Sequence, residues 1–152
     1  MKKIKRIEIL DGKEENPRVL IDLPDILKLI HRGKDYYWGV LPVFDPMGIH
    51  EKDPQKVADK IRGQISEKGF AVINWEDLMI LARGVCQFFD LLLIGCKDCR
   101  NLKNYEDDEE MLRECDIVII MFDTCWWEVS CKDEALMNKF IGSFKEVRIV
   151  TE

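Results

Sequence analysis

Cys96-Lys97-Asp98-Cys99 is the one local pattern in this chain with a mechanism attached. Two thiols three positions apart, after an apolar run and before polar sequence, suit a dithiol redox site in which a helix N-terminus lowers the first thiol's pKa. The setting argues against that use. The motif falls late in the chain, no proline follows Pro54, and Asp98 between the thiols disfavours a thiolate. A zinc site needs two further ligands. Cys115, Cys125 and Cys131 are available, but there is no second C-x-x-C and no H-x₃₋₅-H. Reduced cysteines at a strand end are the expected state, with Cys96 and Cys99 kept as the candidate metal or redox pair.

Other chemistry-bearing residues are sparse. The three serines, Ser66, Ser130 and Ser143, lie outside any G-x-S-x-G nucleophile turn. His31 falls late in a short helical segment, where a cation complements the dipole. His50 has Asp45, Glu51 and Asp53 around it in DPMGIHEKD, residues 45–53. That set suits a metal or an acid–base pair, but a solvated loop explains it more simply. Asp45, Asp90 and Asp123 fall at predicted strand ends, where neighbouring carboxylates can hold Mg²⁺. P-loop, G-x-G-x-x-G, H-E-x-x-H and EF-hand patterns are absent. No catalytic residue and no cofactor is assigned, and the pattern favours a protein that is not an enzyme.

Aromatic doublets are the stronger signal. Successive strand residues point to opposite faces, so Trp126 and Trp127, like Tyr37 and Trp38, cannot enter one core together. Where helices cover both faces of the sheet, all four rings are core. Where one face is open, an aromatic patch remains for a partner, and Tyr and Trp dominate interface hot spots. Asp107, Asp108, Glu109 and Glu110 follow Glu106 in an acidic run. Acids in a first helical turn complement the dipole, and the same run offers charge complementarity to a basic partner. Tyr37, Trp38, Trp126, Trp127 and those four acids form the expected partner-binding set.

These residues need a scaffold, and the composition supplies one. The 152 residues are 47% hydrophobic and 34% charged, values of a single globular domain, 1–152, that needs neither disulfides nor metal to fold. A net charge of −6 disfavours coating of nucleic acid. No run approaches the ~20 apolar residues of a membrane span. The opening MKKIKRIEIL alternates like a strand and has no signal-peptide core. With its cysteines in apolar stretches, the protein is expected in the cytoplasm.

Periodicity predicts strands at 5–10, 36–44, 70–74, 88–95, 117–122, 126–131 and 146–150, and helices at 24–32, 53–69, 75–83, 106–114 and 133–142. Residues 75–83 read as helix, with strand as the alternative. Gly33, Gly69 and Gly142 are placed as helix stops, and Asp53-Pro54 as cap and first helical residue. Pro42 inside an aromatic strand suggests an edge position or a bulge. The strands at 117–122 and 126–131 should pair antiparallel. The resulting class is α/β (α+β), a single mixed β-sheet flanked by helices, some neighbours parallel through helices, with a C-terminal β-β-α-β unit.

Residues 114–152 resemble the C-terminal part of an uncharacterised family of small bacterial α/β proteins. Cys115 and Asp116 lead an apolar strand ending in Asp123, a second strand ends in Cys131-Lys132-Asp133, and a helix and a strand ending at Thr151 follow. DILKLI, before the strand with Trp38, is similar to that family's beginning. The resemblance implies an architecture and no catalytic site. In size, acidity and lack of a catalytic set, the chain is also similar in type to immunity proteins, small acidic inhibitors that plug a basic toxin cleft. The expected function is binding of another protein, with a basic bacterial toxin domain as the leading partner. Homodimerisation through the aromatic strands is a further expectation, and no nucleic-acid or membrane partner is expected. The alternative is a small enzyme, or a zinc or redox protein, built on Cys96 and Cys99 or on residues 45–53.

Overall fold

The computed structural model describes residues 3–12 and 19–152, so the first two residues of the opening strand pattern lie outside it. In chain order it contains β1 (Ile4–Ile9), α1 (Leu23–Leu27), β2 (Tyr37–Ile49), α2 (Lys52–Lys68), β3 (Ala71–Ile73), α3 (Trp75–Gly84), β4 (Val85–Cys96), α4 (Asp108–Glu114), β5 (Ile117–Phe122), β6 (Trp126–Cys131), α5 (Glu134–Ser143) and β7 (Val147–Thr151). The strands form one sheet in the order β3-β2-β4-β5-β6-β1-β7. The α/β class, the single sheet flanked by helices and the C-terminal β5-β6-α5-β7 unit agree with the expectation.

Every pairing is antiparallel, where some parallel neighbours were expected. One cause is the length of β2. Residues 45–49, expected as loop, continue the strand, whose 13 residues extend about 43 Å. The 17 residues of α2 rise only about 25 Å. The chain therefore returns to the level of Val40, and β3 completes the return by pairing Val40 with Ala71 and Trp38 with Ile73. The second cause is β1. β6 and β7 do run parallel through α5, but β1 lies between them and pairs antiparallel with both.

Local signals were kept or displaced for identifiable reasons. β2 is not an edge strand, and the register against β4 shifts between Val40 and Phe44, around Pro42, as a bulge does. Gly69 closes α2 at φ 85°. Glu51, not Asp53, is the cap of α2, which puts Pro54 inside the first turn. Arg32, not Gly33, takes the left-handed conformation after α1, at φ 58°. Gly33 serves close packing instead, since a Cβ there would lie 2.6 Å from the Trp75 ring. Residues 75–84 are helical, with Asn74 Oδ1 accepting the Asp77 amide at 2.8 Å. Gly142 lies within α5 rather than stopping it.

One face of the sheet carries the main core. Cross-strand rows such as Leu93–Ile119–Val129–Ile7 and Leu91–Met121–Trp127–Ile9 lie against Ile26, Ala58, Ile61, Leu78, Leu81 and Phe140 from α1, α2, α3 and α5. Trp38 and Trp127 belong to this core at 0% and 1% exposure. That corrects their assignment as partner-facing anchors, because four helices cover this face. The Trp38 indole lies against Gly95, where a Cβ would meet the ring at 2.8 Å, and donates to the Gly33 carbonyl at 2.9 Å. Trp127 donates to the Ile21 carbonyl at 2.6 Å. Both buried N–H groups are satisfied, as burial in a core requires.

The opposite face has a smaller core of Leu41, Ile94, Cys96, Met111, Cys115 and Val118, around α4. Among the described residues, no helix is long and apolar enough to cross a membrane.

Candidate binding surface

On that second face, cross-strand neighbours form successive rows. Ile94, Val118 and Ser130 make one, with Ile94 and Val118 in the small core beside Met111 of α4. Leu92, Ile120 and Glu128 make the next, only partly buried. Asp90, Phe122 and Trp126 make the row beyond, and it stays open, with Phe122 66% exposed. The seven residues of α4 rise about 10 Å, too short to cover β4 and its 12 residues.

Trp126 is half-buried because Arg148 reaches across from β7. The guanidinium sits 5.7 Å from the ring centroid and pairs with the buried Glu8 on β1 between them. Trp126 lies on the open face, opposite to Trp127, as strand alternation requires. Phe122 was missed. Its signal lies in the alternation: with residues 117, 119 and 121 in the main core, 118, 120 and 122 face the other way. Phe122 is the one farthest from the α4 cover.

The turn after Phe122 is strained. Asp123 and Thr124 hold φ of 50° and 56°, a region that β-branched residues rarely adopt. Surrounding bonds hold it there. Asp90 Oδ1 accepts the Asp123 amide at 2.9 Å, the Phe89 carbonyl accepts the Thr124 amide at 3.1 Å, and the Phe122 carbonyl accepts the Cys125 amide at 3.0 Å. Such strain persists where the surroundings over-determine it; the direction of Phe122 itself is set by its pairing with Asp90 and Trp126 in the sheet.

The acidic run stands on the same face. Asp107 caps α4 by accepting the Glu109 amide at 3.0 Å, and Lys5–Glu109 and Lys103–Glu110 pair at 2.8 Å each. A cavity of about 160 Å³, lined among others by Lys5, Arg6, Asp108, Glu109, Ile120 and Glu128, separates this helix start from the open row. Tyr37 is 49% exposed and pairs with Cys96 at the far end of β4. The expected set therefore divides: Trp126, the four acids and Tyr37 are on one face, Tyr37 at the far end of it, and Trp38 and Trp127 are core.

No family model, curated protein or solved structure matches the chain. The functional reading rests on this surface and on the chemistry of the remaining candidates.

Among the described residues, no group of three or more His, Cys, Asp or Glu is placed to hold a metal ion. His50 is exposed just past the end of β2, and His31 is exposed after α1. Cys96 is buried at the end of β4 while Cys99 is exposed on a 3-10 turn, and the thiol that shares the small core with Cys96 is Cys115. Sequence reasoning missed that pairing because the two residues are 19 positions apart. A cleft of about 290 Å³ lined by Tyr36, Lys97, Asp116, Lys132 and Asp133 lies around the start of β5. Burial, and then Asp116, raise the Tyr36 pKa, so its hydroxyl stays protonated there.

Proposed function

We propose that this protein is a binding module that captures a basic protein partner on the open half of its sheet, with neutralisation of a bacterial toxin domain as the specific form. The observation that carries this reading is Phe122, 66% exposed beside Trp126 and Asp90 in a row that α4 leaves uncovered. A large aromatic that strand pairing holds out on an uncovered face is the kind of side chain that anchors an interface. Asp107, Asp108, Glu109 and Glu110 on the same face supply charge complementary to a basic cleft, which speeds encounter more than it adds affinity.

Growth of cells expressing the neighbouring gene of the same genome, with and without this chain, tests the proposal. Rescue of growth is expected with the wild type and not with Phe122→Asp. With the purified pair, Phe122→Asp should weaken binding at least ~10-fold, about 1.4 kcal/mol. Reversal of the four acids to Lys should slow association and flatten its salt dependence. A harmless neighbour, or rescue that survives both variants, overturns the reading. A chain that sediments as a dimer dissociated by Phe122→Asp would assign the surface to self-association instead.

A further inference from the structure

The segment between β4 and β5 leaves and re-enters the sheet at two buried thiols. Cys96 is the last residue of β4, and Cys115 is the C-cap of α4, directly before β5. They are 0% and 2% exposed and belong to one small apolar cluster. Backbone bonds tie the same point of the sheet: the Asp116 amide donates to the Gly95 carbonyl at 3.0 Å, and the Lys97 amide to Asp116 Oδ2 at 2.7 Å. Within the segment, the Asn101 carbonyl accepts both the Tyr105 hydroxyl, at 2.6 Å, and the Cys96 thiol, at 3.8 Å.

We propose that Cys96 and Cys115 form a thiol–disulfide exchange site that accepts oxidising equivalents from a low-molecular-weight disulfide and closes the base of residues 97–114. In the first step, the Cys115 thiolate attacks one sulfur of the incoming disulfide. A mixed disulfide forms, and the other half leaves as a thiolate that takes up the proton Cys115 lost. In the second step, the Cys96 thiol loses its proton and attacks the Cys115 sulfur, expelling the second thiolate, which that proton neutralises. One small disulfide is reduced to two thiols, and one protein dithiol is oxidised to a disulfide.

The roles follow from the surroundings. The Cys96 thiol and then the Tyr105 hydroxyl, which donate to the Asn101 carbonyl, lie beside the Cys115 sulfur and can turn to its thiolate, and Lys132, whose ammonium donates to the Glu114 carbonyl at 3.2 Å, adds positive charge, so the Cys115 pKa is lowered despite burial. Cys96, kept protonated by the neighbouring Cys115 and then by burial, is pushed up and serves as the resolving thiol. Entry requires opening of the 97–114 segment, which Met111 packs onto the small core and which Glu109 ties to Lys5 by a surface ion pair of the kind that contributes little. Cys99 sits on the outer surface of that segment and plays no part in the exchange.

The test is incubation of the folded chain in oxidised and reduced glutathione at graded ratios, trapping of free thiols by alkylation, and mass spectrometry of the intact chain and its peptides. Expected is loss of two hydrogen atoms without retained glutathione, a Cys96–Cys115 linkage on fragmentation, and reversal by dithiothreitol. Cys99→Ser should preserve this change and Cys115→Ser should abolish it. Hydrogen exchange in residues 97–114 of the wild type should slow at least ~10-fold on oxidation, a readout independent of the variants' folding. A Cys96–Cys99 linkage, or glutathione on Cys86 and Cys99 with Cys96 and Cys115 still reduced, would overturn the assignment.

Discussion

Trp126 and Trp127 leave β6 on opposite faces and have opposite fates. Trp127 is sealed in the main core with its indole N–H on the Ile21 carbonyl at 2.6 Å, while Trp126 lies half-open on the second face under the Arg148 guanidinium, 5.7 Å from its ring centroid. Adjacent in sequence, the two rings separate folding from surface chemistry.

Truncating each ring should show that separation. Trp127→Ala is expected to destabilise the fold by about 3–5 kcal/mol through lost burial and a cavity. Trp126→Ala should cost under about 1 kcal/mol. Urea unfolding of both variants checks this, and comparable losses would contradict the division of faces.

Glycines at two places should respond with opposite sign. A Cβ on Gly95 would meet the Trp38 ring at 2.8 Å, whereas one on Gly142, inside α5, meets nothing within 4 Å. Gly95→Ala should destabilise by about 1–3 kcal/mol. Gly142→Ala should stabilise by about 0.5–1 kcal/mol, the usual gain of removing glycine from a helix interior. Thermal unfolding of the pair reads both signs.

Thr124 holds φ 56° in the turn after Phe122. Glycine carries no such steric cost, so Thr124→Gly should raise stability by about 1 kcal/mol. A variant that is less stable would show that the side chain contributes more than its backbone strain removes.

Burial, and then Asp133, push the Cys131 thiol from 9.0 up to about 12. A raised folded-state pKa contributes stability that is complete below the unfolded value and is lost as pH rises through the folded one. Wild-type stability should therefore decline between pH 9 and about 12 more steeply than that of Cys131→Ser. In native protein at pH 8, iodoacetamide should reach the exposed Cys86 and Cys99 and spare Cys131.

The carboxyl of Asp98 is held at about 2 by hydrogen bonds from the Arg100 side chain and amide. Arg100→Ala should return it toward 3.8, as read by NMR titration of the carboxyl carbon. This depressed value favours the fold above the unfolded pKa and is lost as pH falls toward 2.

Much of the scaffold was legible locally. The hairpin strands Ile117–Phe122 and Trp126–Cys131, the Asp133 cap and the Gly69 stop rest on periodicity and on side chains that bond their own neighbours. Residues 45–49 were misread because Asp, Pro and Gly are turn formers in isolation, yet β4 pairs Asp45 with Asp90 and Ile49 with Val85. The candidate surface was half legible: adjacency placed one tryptophan on each face, and nothing local said which face would be covered.

The sequence by itself determined the class, most of the elements and the opposed directions of Trp126 and Trp127, because strand alternation, capping and helical periodicity act over a few residues. Tertiary structure alone decided the rest. It inserted β1 between β6 and β7, covered one face with four helices, left Phe122 outside the reach of α4, and put Cys96 in one cluster with Cys115 rather than with Cys99. These outcomes depend on which distant segments meet, and that is settled by the total burial and pairing of the folded chain.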